Sequence, residues 1–264
     1  MQGYIPVYLK GWGFMFNFFA DEKNRQNSHY IIDGTDYNHI KNVLRMEIGD
    51  TCLISCGGKS DLCCIDSFFD DAVSLEILEE DYTDTELPVK IYLFQGLPKG
   101  DKMEYIIQKC VELGVFGIVP VAMKHCVVKL DDKKAKSKQT RWQSISESAA
   151  KQSKRNIIPE IMNVCSFDKA LEFAKTLDLI LVPYENKEGM TATAEALSEL
   201  KNVKSVGIFI GPEGGFEKQE IEKTLNTGAK IISLGKRILR TETAAITAVG
   251  MCMLSIEMLE GNSK

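Results

Sequence analysis

No C-x-x-C pair occurs in this chain of 264 residues, and its three histidines, His29, His39 and His125, stand far apart. The usual zinc spacings are therefore missing, and no metal is expected. No glycine-rich loop ends in Lys-Ser or Lys-Thr, so there is no P-loop. The fingerprint glycines and the ribose-binding acid of a nicotinamide enzyme are also lacking. No charged-then-apolar segment with a small-residue cleavage site opens the chain. The longest apolar stretch, Ala244 to Ile256, is broken by Thr247, Gly250 and Ser255 and closed by Glu257 and Glu260. It reads as too short for a bilayer, so a cytoplasmic protein with no membrane partner is expected. The eight cysteines are Cys52, Cys56, Cys63, Cys64, Cys110, Cys126, Cys165 and Cys252. Most have aliphatic neighbours and read as small buried hydrophobes in a reducing compartment.

Bases are absent from one long stretch and crowded into another. Ser60 to Val89 holds ten acids and no Lys or Arg. Lys124 to Arg155 holds ten bases against Asp131, Asp132 and Glu147, a local charge of +7 in a chain whose total is −5. Local potential, not the total, steers a polyanion, although a charge run is as a rule a solvated face.

Residues 1–14 fit no pattern and read as an N-terminal extension. Residues 15–85 show short β-like runs at Tyr30–Ile32, Thr51–Ser55, Leu62–Phe69 and Val73–Leu78, with one helical piece from Asp36 to Met46. Such spacing predicts a small antiparallel barrel. Asp81 to Pro88 is polar, ends in Pro and reads as a linker. From residue 86 to 264 the pattern changes to α/β. Val89–Leu93, Gly117–Ala122, Leu179–Pro183, Val206–Ile210 and Lys230–Leu234 are apolar runs suited to parallel strands covered on both faces. Between them, Met103, Ile106, Ile107, Cys110 and Val111 repeat with helical spacing, and Gly114 is placed as a stop. Trp142, Ile145, Ala149 and Gln152 repeat similarly, and Glu217–Leu225 and Thr241–Glu260 are further helices. The last is apolar nearly all round, either buried or at a subunit interface.

Two loops carry the candidate chemistry. Ile210-Gly211-Pro212-Glu213-Gly214-Gly215-Phe216 follows a strand and precedes a helix. That geometry offers backbone groups to a ligand, and it is also that of a plain turn. Pro212 removes one donor, which favours a neutral or zwitterionic ligand over a phosphate. In Leu234 to Ala245, Gly235 allows close approach, and Ile238 and Leu239 are apolar where loops are usually polar. Arg240 stands before Thr241, a candidate N-cap. An Arg there opposes the helix dipole, so it needs a reason: a salt bridge to Glu242 or Glu213, or a function.

Together these loops resemble the signature of the RsmE-type 16S ribosomal RNA (uridine-N3)-methyltransferases of the SPOUT superfamily. His39-x4-Leu44-Arg45 with Gly49-Asp50 is similar too, as are Lys99 to Glu104, Lys109-x2-Glu112-Leu113-Gly114, and Arg141-Trp142 running to Ala149-x2-Gln152-Ser153-x-Arg155. Asn17 stands where that family commonly has Arg, and Lys124-His125-Cys126 replaces a segment that usually carries Arg and Ser. The resemblance implies a PUA-like β-barrel RNA-binding domain, then a trefoil-knotted parallel-sheet α/β methyltransferase domain. Sequence rules alone exclude such a knot. It also implies a homodimer through the knot and the C-terminal helix.

By the same resemblance, S-adenosyl-L-methionine is the cofactor. Three loops would hold it: Val182, Pro183 and Glu185; Ile210, Gly211, Pro212 and Gly214; and Ser233, Leu234, Gly235, Ile238 and Leu239, with Thr243 and Ala244 nearby. Ribosomal RNA, naked or in the small subunit, would lie on Arg45, Lys124, Lys129, Arg141, Lys151, Lys154 and Arg155. The implied reaction is in-line methyl transfer to uridine N3. Arg240 would steady the uracil anion, and the proton would pass to Glu213, Glu185 or bulk water. A knotted methyltransferase acting on a tRNA ribose 2′-oxygen, or a non-catalytic RNA-binding protein, are the alternatives.

Overall fold

The computed structural model describes residues 15–184 and 189–261; the expected extension, residues 1–14, lies outside them. Two compact units are formed. The first runs to Glu86 and takes in Lys154–Ile157, and the second comprises Leu87–Ser153 and the chain from Ile158 onward.

The first unit is a curled six-stranded sheet. Its elements are β1 (Asn17–Phe19), β2 (Arg25–Gln26), β3 (His29–Asp33), the short helix α1 (Gly34–Asn38), β4 (Thr51–Cys56), β5 (Lys59–Phe68) and β6 (Ala72–Glu79). The strand order is β1-β4-β5-β6-β3-β2. All neighbours are antiparallel except β1 and β4, which run parallel with Phe18 opposite Ile54. The purely antiparallel barrel expected from the spacing is corrected at that edge. β2, β3 and α1 lie between β1 and β4 in the chain, which is crossover enough to turn β1 parallel. The expected helix, Asp36 to Met46, is only α1 and one wider turn, His39–Val43.

Alternation along β4 and β5 turns Cys52, Ile54, Cys63 and Ile65 into one core with Phe18, Tyr30 and Leu75. Each large apolar side chain so buried contributes roughly 1.5–3 kcal/mol. Cys52 and Cys63 face each other as free thiols without exposure. Burial pushes the Cys63 thiol up to about 12, so it stays a neutral hydrophobe at physiological pH.

The second unit is a parallel sheet with helices. In chain order it contains β7 (Lys90–Gly96), α2 (Lys102–Glu112), β8 (Gly117–Ala122), α3 (Asp132–Ser153), β9 (Glu160–Ile161), β10 (Cys165–Ser166), α4 (Phe167–Ala174), β11 (Leu179–Pro183), α5 (Gly189–Ser198), β12 (Ser205–Ile210), α6 (Lys218–Leu225), β13 (Lys230–Ile232) and α7 (Thr241–Gly261). The order is β10-β8-β7-β12-β11-β13, with β9 beside β8 and every pairing parallel. Strands buried on both faces explain the uninterrupted apolar runs. Phe94 on β7 stacks on Phe209 of β12, 4.4 Å between centroids and 5° between planes.

Gly114, at φ +90°, ends α2 in the left-handed region that glycine tolerates. On α3 the buried residues are Trp142, Ser146, Ala149 and Ala150, while Gln152 is exposed, contrary to the spacing argument. The Ser146 hydroxyl donates to the Pro159 carbonyl at 2.7 Å, which lets a polar residue take the inner face. Helix α7 is longer than the apolar stretch in the sequence, and Thr241–Leu259 is long and apolar enough to cross a membrane by length and composition. In this structure it packs on α2, β7 and β12, burying Ala245, Ala248, Val249 and Cys252 and leaving Leu254 and Met258 exposed.

Candidate active site

Parallel strands deliver their following loops to one edge, where α/β sheets form crevices. At the carboxyl ends of β11 and β12, a cavity of about 540 Å³ opens between Pro183-Tyr184, Ile210–Glu213 with Gly215 and Phe216, and Ile238–Thr241 with Ala244. That volume suits a small molecule. The loop after β12 is wound tightly on itself. A Cβ on Gly211 would lie 3.2 Å from the Gly215 carbonyl carbon, and one on Gly96 would lie 2.7 Å from the Pro212 nitrogen. Glycine at both places lets this loop pack directly on the end of β7.

The candidate cofactor residues divide. Pro183, Ile210, Gly211, Pro212, Ile238, Leu239 and Ala244 line the cavity, whereas Val182, Gly214, Ser233, Leu234, Gly235 and Thr243 are not in its wall. Val182 is buried in β11. Ser233 is tied to Thr193, whose hydroxyl donates to the Ser233 carbonyl and accepts from its N–H at 2.7 Å. Gly214 faces His125, with its carbonyl 3.1 Å from Nδ1. Glu185 lies outside the described residues. Ile238 is 94% exposed on the cavity rim, the unusual apolar loop residue that the sequence flagged.

Both catalytic candidates, Arg240 and Glu213, reach the wall. Among the described residues, none forms an ion pair with Arg240; the carboxylates of Glu213 and Glu242 both go to Lys102, at 3.0 and 3.3 Å. Glu213 also accepts the Lys99 N–H at 3.1 Å. Burial pushes the Glu213 carboxyl up, but the Lys102 ammonium and the backbone N–H groups outweigh it and hold the group below its ordinary value. A carboxylate so held is a poor proton acceptor near neutral pH.

Thr241 is the first residue of α7 rather than its cap. Its hydroxyl donates to the Gly211 carbonyl at 2.7 Å and accepts from Gln95 Nε2 at 3.0 Å. Sequence reasoning set Tyr184 within the first cofactor loop but gave no role to Lys102 or Phe216 in the wall, or to Gln95 behind it. The usable signal was the Lys99–Glu104 segment, placed directly after a strand.

The basic candidates are not equivalent. Arg45, Lys124 and Lys129 are exposed. Arg141 pairs with Glu104 at 2.8 Å and Lys151 with Glu147 at 2.9 Å. The Lys154 carbonyl accepts the Thr85 hydroxyl. Arg155 is corrected outright: it is 3% exposed inside the first unit, with Nε and Nη2 donating to Glu86 at 2.8 and 2.5 Å. Asn17 is buried as well, donating to the Arg155 carbonyl at 3.1 Å and accepting from the Ser55 hydroxyl at 3.0 Å. Within the expected linker, Asp81 to Pro88, the part up to Glu86 is thus held in the first unit, and the second unit begins at Leu87.

A parallel sheet with an apolar-walled crevice and a guanidinium at its mouth defines an α/β protein built around a small-molecule site. Comparison with known proteins narrows the class. Residues 85–253 match the family described as RNA methyltransferase domain, and residues 32–60 match the RNA methyltransferase PUA domain. The chain is 41% identical to ribosomal RNA small subunit methyltransferase E of Bacillus subtilis, over 88% of this chain and 93% of that protein. It is 33% identical to the protein of the same name from Mesomycoplasma hyopneumoniae, over 90% and 99%. The crystal structure of a ribosomal RNA small subunit methyltransferase E from Neisseria gonorrhoeae bound to S-adenosyl methionine superposes with a TM-score of 0.75 at 32% identity, covering 89% of this chain and 96% of that one. The chain belongs to the RNA methyltransferase family, with the ribosomal RNA small subunit methyltransferases E.

Proposed function

We propose that this chain methylates small-subunit ribosomal RNA with S-adenosyl-L-methionine, and that the acceptor atom is N3 of a uridine. The observation that carries the reading is the cavity at the ends of β11 and β12, whose wall joins Pro183, Ile210, Ile238 and Leu239 to the guanidinium-bearing Arg240. Pro183, Ile238 and Leu239 suit the faces of an adenine, and the backbone of Gly211–Pro212 suits its edges. When bound, the donor supplies an electrophilic methyl group on a sulfonium.

The chain's own residues do the rest. Uridine N3 carries a proton at neutral pH, so its lone pair is free only as that proton leaves. Arg240 is placed to hold the negative charge that spreads to O2 and O4, which favours the anion and aims it. Glu213, held ionised by Lys102, keeps the loop in place rather than taking the proton, and Glu185 or bulk water is the acceptor left in this reading.

RNA affinity comes from exposed bases, Lys124 and Lys129 on the second unit and Arg45 on the first. Binding should weaken steeply with salt, as phosphate contacts release counterions. A salt-insensitive dissociation constant would remove this footprint. The knot, the homodimer through α7 with its exposed Leu254 and Met258, and action in the cytoplasm belong to the same reading.

The test has two arms. Titration calorimetry should show S-adenosylmethionine binding to the purified protein. Incubation with 16S RNA or small subunits should then yield 3-methyluridine on nuclease digestion and mass spectrometry. A ribose-methylated nucleotide would replace the acceptor assignment, and absence of donor binding would leave a non-catalytic RNA-binding protein.

A further inference from the structure

Three separate segments meet beside the cavity, and they are joined twice. Behind the wall, Gln95 of β7 donates to the Thr241 hydroxyl, which donates to the Gly211 carbonyl. At the wall, Lys102 at the start of α2 lies 3.0 Å from Glu213 of the glycine loop and 3.3 Å from Glu242 in the first turn of α7. The first link is neutral, buried at Gln95 and part-buried at Gly211. The second is ionic and has one cation between two anions.

That stoichiometry gives Lys102 its weight. Glu242 Oε2 is buried and has no hydrogen bond among the described residues, so the ammonium is the charge that compensates it. Lys102 itself sits at a helix N-terminus, where the dipole disfavours a cation. Its bond to Glu213 raises its pKa against the pull of burial, so it stays charged at neutral pH. Without it, two carboxylates would be left unneutralised beside the cavity, one on the loop and one two residues beyond Arg240.

We infer that Lys102 is a positioning residue. It clamps the Gly211–Gly215 loop to the start of α7 and so fixes Arg240 relative to the donor pocket. This rests on the reading above that the cavity takes S-adenosylmethionine and that Arg240 faces the acceptor. The role is electrostatic, so it differs from a packing role in what relieves its loss.

Lys102→Met should weaken S-adenosylmethionine binding roughly tenfold and lower kcat as well, the size expected for coupled charges in contact. Adding Glu242→Gln to Lys102→Met should restore part of both losses, and Lys102→Arg should keep most of the activity. Wild-type kcat and affinity in Lys102→Met would overturn the clamp, and so would losses that Glu242→Gln leaves untouched. If the wild type binds no donor, the proposed function falls. The clamp is then read from Tm, where a loss in Lys102→Met that Glu242→Gln relieves supports it and additive losses refute it.

Discussion

Arg240→Ala should lower turnover about 10²-fold or more, the loss typical of removing one donor aimed at a developing anion. The residue stands at the mouth of the cavity, immediately before α7, and its carbonyl accepts the Ala244 N–H at 2.8 Å, so the helix start fixes its backbone. Among the described residues its side chain has no carboxylate to release before meeting a substrate, because Lys102 holds both nearby acids. The rest of the pocket wall, apolar residues, loop backbone and the Lys102–Glu213 pair, is untouched by this change, so the dissociation constant of S-adenosylmethionine should hardly move while kcat falls. Arg240→Lys should recover only part, since an ammonium cannot present two parallel N–H groups to a planar base.

The pH profile separates electrostatic help from packing. A cation beside the bound uracil lowers the pH at which N3 loses its proton, so its removal should shift the alkaline rise in kcat to higher pH. No acidic limb from Glu213 is expected, because its pKa is held below the ordinary value. Near-normal turnover in Arg240→Ala would discard the assignment.

How far the sequence reached depends on whether a feature is local. The parallel strands were legible because burial on both faces demands continuous apolar runs, and Gly117–Ala122 and Leu179–Pro183 keep their expected limits. Helix α2 was legible from its period and from Gly114. Two-residue strands such as β9 and β10 carry no pattern of their own, and they exist because β8 offers an edge.

The site was half legible for the same reason. Gly211, Pro212, Ile238 and Arg240 are unusual where they stand, so they drew attention. Lys102 and Gln95 are ordinary residues whose meaning lies in partners far along the chain. Binary pattern says which side chains face inward but not which pair. Arg155 fell to that gap: by composition it belongs to a basic run, and only the fold reveals that Glu86 claims it.

Glu86→Ala should be the most damaging of the simple substitutions in the first unit, costing on the order of 3–5 kcal/mol by leaving a buried guanidinium without its carboxylate. The pair is bidentate, with Arg155 3% exposed, and Glu86 also accepts the Asn156 N–H at 2.8 Å. Around it, the Arg155 carbonyl takes bonds from Asn17 and Ser55, and the Asn156 amide donates to the Thr83 carbonyl at 3.0 Å. The returning segment Lys154–Ile157 is thus built into the first unit by polar contacts, and loss of Glu86 strands the most expensive of them.

Arg155→Met should cost less, because it removes the buried charge and leaves a carboxylate whose side chain is 19% exposed and can turn toward water. Urea unfolding should be followed by two probes, since two units need not melt together. The loss is expected in the transition that reports the curled sheet. A change below about 0.5 kcal/mol for Glu86→Ala would mean that the pair behaves like an exposed one. Arg155→Met also carries a check on RNA binding. A buried guanidinium touches no phosphate, so the slope of affinity against salt should match the wild type, whereas Lys124→Ala should flatten it.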